Sequence, residues 1–378
     1  MLPNRKPLLW GAVVCLLVLG VVMLGIWLSR TPPAPDQRAT AEAADAAPVA
    51  SADELPEDAR VESAMDENIR MAIADFEYQM QFPPYSAPIE KTDWQVFNPR
   101  AQVDTALTLM DGDDLSDGPD PIRLSIEVPR GIIDVSEPLP VKVNVAEESN
   151  ASGALQVVQG SVWVNPDHET VRDKIGPSVP LSGRQVAGSD AWEFEGTLTP
   201  DMLRPHAGDT AYLVAEVVLS DGSQGKAVLP VELFESKAEI SSIGSAFVEG
   251  PHLMIPFELT AHVPGGFNVR ANLLDDTGEL PIAHLSETVQ AESAGSVDGH
   301  FRVHIATLTE RGHEGPYQLA NINITKTLTK PDYVGGFGAY DDATYSVSGF
   351  SFSQYEDEDY VDPEMQRRLE GLQRMLGN

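Results

Sequence analysis

Hydrophobic and polar positions change rhythm several times along the chain, and each rhythm predicts a different kind of element. Leu8 to Leu28 is a run of 21 residues without a charged or strongly polar side chain. At about 1.5 Å per residue a helix of that length spans roughly 31 Å, the thickness of a hydrocarbon core. Trp10 and Trp27 stand near its two ends, where amphipathic rings favour the membrane interface. The run is too long for a cleaved signal peptide, and Gly25-Ile26-Trp27-Leu28-Ser29-Arg30 is a poor cleavage site. A retained anchor is the expectation, with residues 1–7 in the cytoplasm and the 350 residues after Leu28 outside it.

Residues 29–60 carry ten Ala and five Pro with scattered acids and no apolar period, which predicts a disordered tether. From about Val61 the period becomes helical. Met65, Ile69, Ala72, Ile73, Phe76 and Met80 recur on one face, predicting an amphipathic helix that stops before Pro83-Pro84. An extended stretch follows, with Phe82, Tyr85 and Trp94 set among prolines. It reads as a strap, and these three aromatics are candidates for contact with a partner. Helix and strap together occupy residues 61–120.

Beyond residue 120 the period is two. Ile122, Leu124, Ile126 and Val128 alternate with polar neighbours, as do Val141, Val143 and Val145. Further strands are expected at 155–164, 191–198, 211–219 and 226–234, with Trp163 and Trp192 filling the core between sheets. A second series runs through Leu253–Leu259, Phe267–Leu273, Phe301-Val303-Ile305 and Tyr317–Ile324. No helical pattern interrupts either series, which argues against a parallel α/β enzyme fold. Two antiparallel β-sandwiches are therefore predicted, over 121–236 and 237–330. A Tyr/Phe/Gly strap and a C-terminal helix are expected over 331–378. That helix opens at Asp362-Pro363-Glu364 and carries Leu369 and Leu372 on its apolar stripe, two more candidates for partner contact.

The strand Tyr212–Leu219, its Asp221-Gly222 turn, the returning strand Ala227–Phe234 and Gly315-Pro316-Tyr317-Gln318-Leu319 resemble those of bacterial envelope proteins with tandem immunoglobulin-like or fibronectin-type modules. That resemblance implies display and binding, and carries over no catalytic residue.

Composition narrows the function. With 25 Lys and Arg against 58 Asp and Glu, the formal charge is −33, which argues against a nucleic-acid binder. One Cys excludes a disulfide framework and multi-cysteine metal sites. Asp111, Asp113, Asp114 and Asp117 crowd one loop and are weak Ca²⁺ candidates, although the EF-hand order fails. His300 and His304, four residues apart on a strand, lie about 13 Å from each other, too far to share an ion. The histidines of residues 237–330 read as a dispersed, solvated set. His168-Glu169 has no second ligand at Arg172, and the glycine–serine pattern at Gly349-Phe350-Ser351 has no final glycine. No catalytic residue, cofactor or nucleic-acid contact is predicted. The expectation is an inner-membrane scaffold with a periplasmic ectodomain, bound to the bilayer through residues 8–28 and to another envelope protein. A carbohydrate- or Ca²⁺-dependent binding module using Trp94, Tyr333, Phe337 or Tyr340 is the alternative, and a hydrolase the remote one.

Overall fold

A computed structural model describes residues 57–101, 107–110, 122–147, 157–171, 173–189, 191–220, 222, 224–328 and 335–376. The proposed anchor with Trp10 and Trp27, the acidic loop Asp111, Asp113, Asp114 and Asp117, and Tyr333 lie outside the described residues. No helix among the described residues is long and apolar enough to cross a membrane.

The chain is mainly β. Helix α1 (Glu57–Gln79) starts inside the stretch read as tether. Its less exposed positions, Ile69, Ala72, Ile73 and Phe76, with Met80 just past its end, are those of the apolar stripe. Strand β1 (Ser86–Pro88) and the single-turn helix α2 (Trp94–Phe97) follow. Next come β2 (Leu107–Met110), β3 (Ile122–Glu127), β4 (Ile132–Asp134), β5 (Leu139–Glu147) and β6 (Val157–Asn165). Strands β7 (Ser178–Gln185) and β8 (Trp192–Leu198) precede the short helix α3 (Pro200–Leu203). Strands β9 (Thr210–Leu219) and β10 (Gln224–Phe234) close this series.

Strands β2 to β10 form one nine-stranded sheet in the order β2-β10-β9-β6-β7-β8-β5-β3, with β4 added in parallel to β10. Strand β7 makes the corner. Its first half pairs with β6 through Ser178–Leu181, and its second half pairs with β8 through Ser182–Gln185. Gly183 at the corner is required by close approach, because a Cβ there would lie 2.2 Å from the Phe194 ring. Folded over on itself, the sheet encloses a cluster that includes Leu124, Val143, Val162, Leu181, Phe194, Leu213 and Leu229. Trp163 does not fill this core, contrary to expectation. Strand alternation sends Val162 and Val164 inward and Trp163 to the opposite face, where it is fully buried with Val171, Val214 and Val228. Its indole Nε1–H donates to Asn165 Oδ1 at 3.1 Å. Trp192 packs against the main cluster, partly buried.

After β10 come β11 (Ala238–Ile243), β12 (Phe247–Glu249), β13 (His252–Ala261), β14 (Gly265–Asp275), β15 (Pro281–Ala291) and β16 (Gly295–His304). Helix α4 (Ile305–Arg311) intervenes before β17 (Tyr317–Lys326), β18 (Gly336–Asp341) and β19 (Tyr345–Val347). Strands β11, β12 and β16 all pair with β13 in one sheet. The other sheet runs β1-β15-β14-β17-β18, with β19 also on β17. Between them lie Phe257, Phe267, Ile282, Phe301, Val303, Leu319 and Ile324.

Helix α4 corrects the expectation of uninterrupted strands, since Ile305 begins a helix and does not extend β16. His304 caps it, its Nδ1 accepting from Ala306 N–H at 3.2 Å, while Ile305 and Leu308 are buried one turn apart. The C-terminal helix α5 (Pro363–Leu376) opens where the sequence signals it, with Asp362 Oδ1 accepting from Glu364 N–H at 2.8 Å.

Candidate functional site

The outer face of the second, six-stranded sheet carries the polar members of each alternation. On β14 these are Arg270 and Asn272, on β15 His284, and on β17 Asn321, Asn323 and Thr325. Strand β17 carries a bulge here. Pairing with β14 slips between Arg270 and Asn272, and Asn321 takes the left-handed conformation at φ 55°. Asparagine tolerates that backbone better than other residues with a side chain, and bulges re-aim side chains.

Residues Trp94–Ala101 cross this face, held at two points. Buried Asn272 donates through Nδ2 to Val96 O at 3.0 Å and to Asn321 Oδ1 at 3.3 Å. Its Oδ1 therefore accepts from the Nδ1–H of His284 at 2.8 Å, which leaves His284 Nε2 as an acceptor. Asn321 Nδ2 continues the chain to Tyr340 Oη at 3.1 Å. The second fastening is Arg100, only 3% exposed. Its Nε donates to Asn323 Oδ1 at 2.8 Å, and its Nη2 to Gly338 O at 2.7 Å and Ile324 O at 3.3 Å.

Aromatic rings complete the surroundings of Arg100. Phe234, at the end of β10, and Phe337 of β18 lie 5.0 and 5.5 Å from its guanidinium carbon, and Tyr340 lies at 5.6 Å. Burial lowers the Arg100 pKa to about 10, with Arg130 adding to the effect, so the group remains charged at neutral pH. Arg130 itself sits over the Tyr340 ring and pairs with Asp342 at 2.7 Å.

What this fastening presents is Trp94. Its side of the segment faces outward, 51% exposed, at the rim of a cavity of about 460 Å³. Gln95, Asn98, Arg270, His284, Asn323 and Phe337 contribute to the walls. That volume lies in the range of roughly 300–1,000 Å³ found for small-ligand sites. Burial pushes His284 down to about 4, with the Arg270 charge adding to the effect and Asp93 opposing it, so the imidazole is neutral near pH 7. Arg270 has no ion pair among the described residues.

The other aromatic and leucine candidates are placed differently. Phe82 is 6% exposed with its ring edge-on to Tyr78 at 5.2 Å, so it is not offered to a partner. The residues that follow it enter the sheet, where Ser86 is fully buried and donates through Oγ to Thr307 Oγ1 at 3.2 Å. Tyr85 lies with its Oη 2.7 Å from His252 Nε2, and Arg302 stacks on its ring at 4.3 Å. Leu369 and Leu372 are half-buried on α5.

Two of the histidines correct another expectation. His252 and His304 are cross-strand partners with rings 5.2 Å apart, and His304 is 3% exposed, so they are neither dispersed nor solvated. Burial lowers the pKa of both. Arg302 adds to the effect at His252, and His252 adds to it at His304. Among the described residues no group of three His, Cys, Asp or Glu side chains is arranged to hold a metal ion.

Of this face, sequence reasoning found Trp94, Phe337 and Tyr340 and missed Arg100, Arg270, Asn272, His284, Asn321 and Asn323. Alternation marks Arg270 and Asn272 as outward-facing. Nothing local says that a segment more than 170 residues earlier lies over them.

No family model matches this chain, and no curated protein matches it. Among solved structures it is similar to a DUF4785 family protein from Legionella pneumophila, with 12% identity, TM-score 0.38, and coverage of 54% of this chain and 53% of that one. It is also similar to a bacterial ice-binding adhesin, with 12% identity, TM-score 0.21, and coverage of 61% and 67%. PorU from Porphyromonas gingivalis follows with 11% identity, TM-score 0.22, and coverage of 64% of this chain and 21% of that one. The chain thus spans about half the length of the Legionella structure.

Proposed function

We propose that this chain is a non-catalytic, single-pass membrane protein that displays an acidic ectodomain as a scaffold for another envelope component. In this reading Leu8–Leu28 is the anchor in the inner membrane, with Trp10 and Trp27 at its interfaces. The tether spaces the body into the periplasm, and the two enclosed cores belong to immunoglobulin-like sandwich modules. Supporting the binding role is one observation above the others: Trp94 is half-exposed on a segment pinned from behind by Asn272 and Arg100. An aromatic carried on a fastened segment costs less to bind with, because that backbone is ordered before the partner arrives.

On this face the groups present suit binding better than catalysis. His284 is neutral with Nδ1 committed to Asn272, and the one hydroxyl of the described cavity wall, on Thr325, makes no hydrogen bond to it. A base without a nucleophile to deprotonate serves better as an acceptor. The test is chemical crosslinking of the full chain in native membranes followed by mass spectrometry. A recurrent envelope partner joined to the β-rich body is expected. Recovery of the chain alone, or its release from membranes by alkaline carbonate, would count against the reading.

A further inference from the structure

We propose that the cavity beside Trp94 takes an acidic saccharide, a pyranose unit bearing a carboxylate. This rests on the reading above that the face is a binding face, and adds the class of ligand. The indole offers a flat apolar surface with a negative face, which attracts the polarised C–H side of a sugar ring. Around it stand groups suited to hydroxyls, which both donate and accept. His284 Nε2 is an acceptor whose ring is fixed by Asn272, while Asn323 Nδ2 and the Gln95 amide make no hydrogen bond among the described residues. The walls are otherwise short on charge.

Arg270 decides between a neutral and an acidic sugar. It is an exposed guanidinium in the cavity wall of a chain of formal charge −33, without an ion pair among the described residues. A guanidinium fork matches a carboxylate in two parallel hydrogen bonds. A polyphosphate ligand fits poorly, since one cation does not offset the repulsion of so acidic a body. One carboxylate per sugar is the charge the site matches.

The full chain in nanodiscs of zwitterionic lipid provides the test, by calorimetric titration with three probes. Trigalacturonic acid and the N-acetylglucosamine–N-acetylmuramic acid disaccharide carry the carboxylate in different places, on the ring and on a lactyl ether, and so distinguish the two sources of this chemistry. Maltotriose is the neutral control. Saturable binding of at least one acidic probe is expected, with maltotriose roughly tenfold weaker or worse. Trp94→Ala should weaken the acidic probe by roughly tenfold or more, while Trp94→Phe retains most of the affinity. Arg270→Ala should remove the preference for acid over neutral sugar. Both side chains are exposed, and an unchanged melting curve for each variant shows that folding is intact.

The inference is overturned by equal binding of maltotriose, by parental affinity in Trp94→Ala, or by binding of anionic lipid vesicles through Trp94 in place of sugar. Absence of saturable binding to every probe also overturns it. If that absence accompanies an envelope protein crosslinked at this face, the ligand class falls and the scaffold reading stands. If both results are negative, both fall.

Discussion

Acid should loosen the second sheet, and His284 should account for a measurable part of the loss. Its folded pKa is about 4 against 6.5 for the free side chain. The sign follows from linkage: the unfolded chain binds the proton more tightly, so stability is complete above about pH 6.5 and falls as pH drops towards 4. At about pH 5 the unfolded imidazole is almost wholly protonated and the folded one only about a tenth, a difference worth about 2 kcal/mol. His206, His252 and His304 also have lowered values and act with the same sign, so several histidines contribute to the parental slope.

His284→Gln isolates one of them. Glutamine can still donate to Asn272 Oδ1 but cannot titrate. Urea unfolding of the full chain in detergent, followed by tryptophan fluorescence at about pH 7.5 and about pH 5, gives the two stabilities for each protein. We expect the variant to lose about 2 kcal/mol less than the parent on acidification, after a cost of about 1 kcal/mol at the higher pH. Equal losses would mean that His284 is not held neutral by its burial in the fold.

Three further outcomes follow from packing and fastening. Arg100→Met should destabilise the protein by about 3 kcal/mol in the same assay, because Asn323 Oδ1 and two buried carbonyls lose their donor. Arg100→Met should also raise hydrogen exchange across residues 94–101, which loses its second point of attachment. Gly299→Ala should cost about 2 kcal/mol, since a Cβ there meets the Phe257 ring at 2.3 Å and Val289 at 2.8 Å; differential scanning calorimetry would show the lowered midpoint.

Local rhythm was enough to read the β-rich character of residues 122–326, because each face of a sheet writes its burial into alternate positions. The long strands β5, β9, β10, β13 and β14 fall within a few residues of their expected places for that reason. Strand β7 was not legible. It serves two layers, its pairing passing from β6 to β8 between Leu181 and Ser182, and only Leu181 along it is buried. Trp163 shows the same limit from the other side. Alternation puts it on one face, and a large apolar residue suggests the core, but the covering loop through Val171 creates a second small cluster. Helix α4 left a faint signal in Ile305, Leu308 and the Gly312 cap, overshadowed by the strand alternation running into it.

The candidate site was legible only in its aromatic half. Trp94 stands out among prolines, whereas Arg270, His284 and Asn321 look like ordinary solvent-facing members of strands. Their convergence depends on pairs far apart in sequence, such as Asn272 with Val96 and Arg100 with Gly338. A single chain read in windows contains no term for such contacts.

The most direct measurement places a photo-crosslinking amino acid at Gln95, beside Trp94 in the cavity wall, in the full chain expressed in its native membrane. A second position, Val186, 40% exposed just after β7, serves as the reference. A discrete envelope adduct is expected from position 95, missing from position 186 and lost when Trp94→Ala is added. Identical adducts from both positions, or none from position 95 in membranes where the chain is correctly inserted, would contradict it.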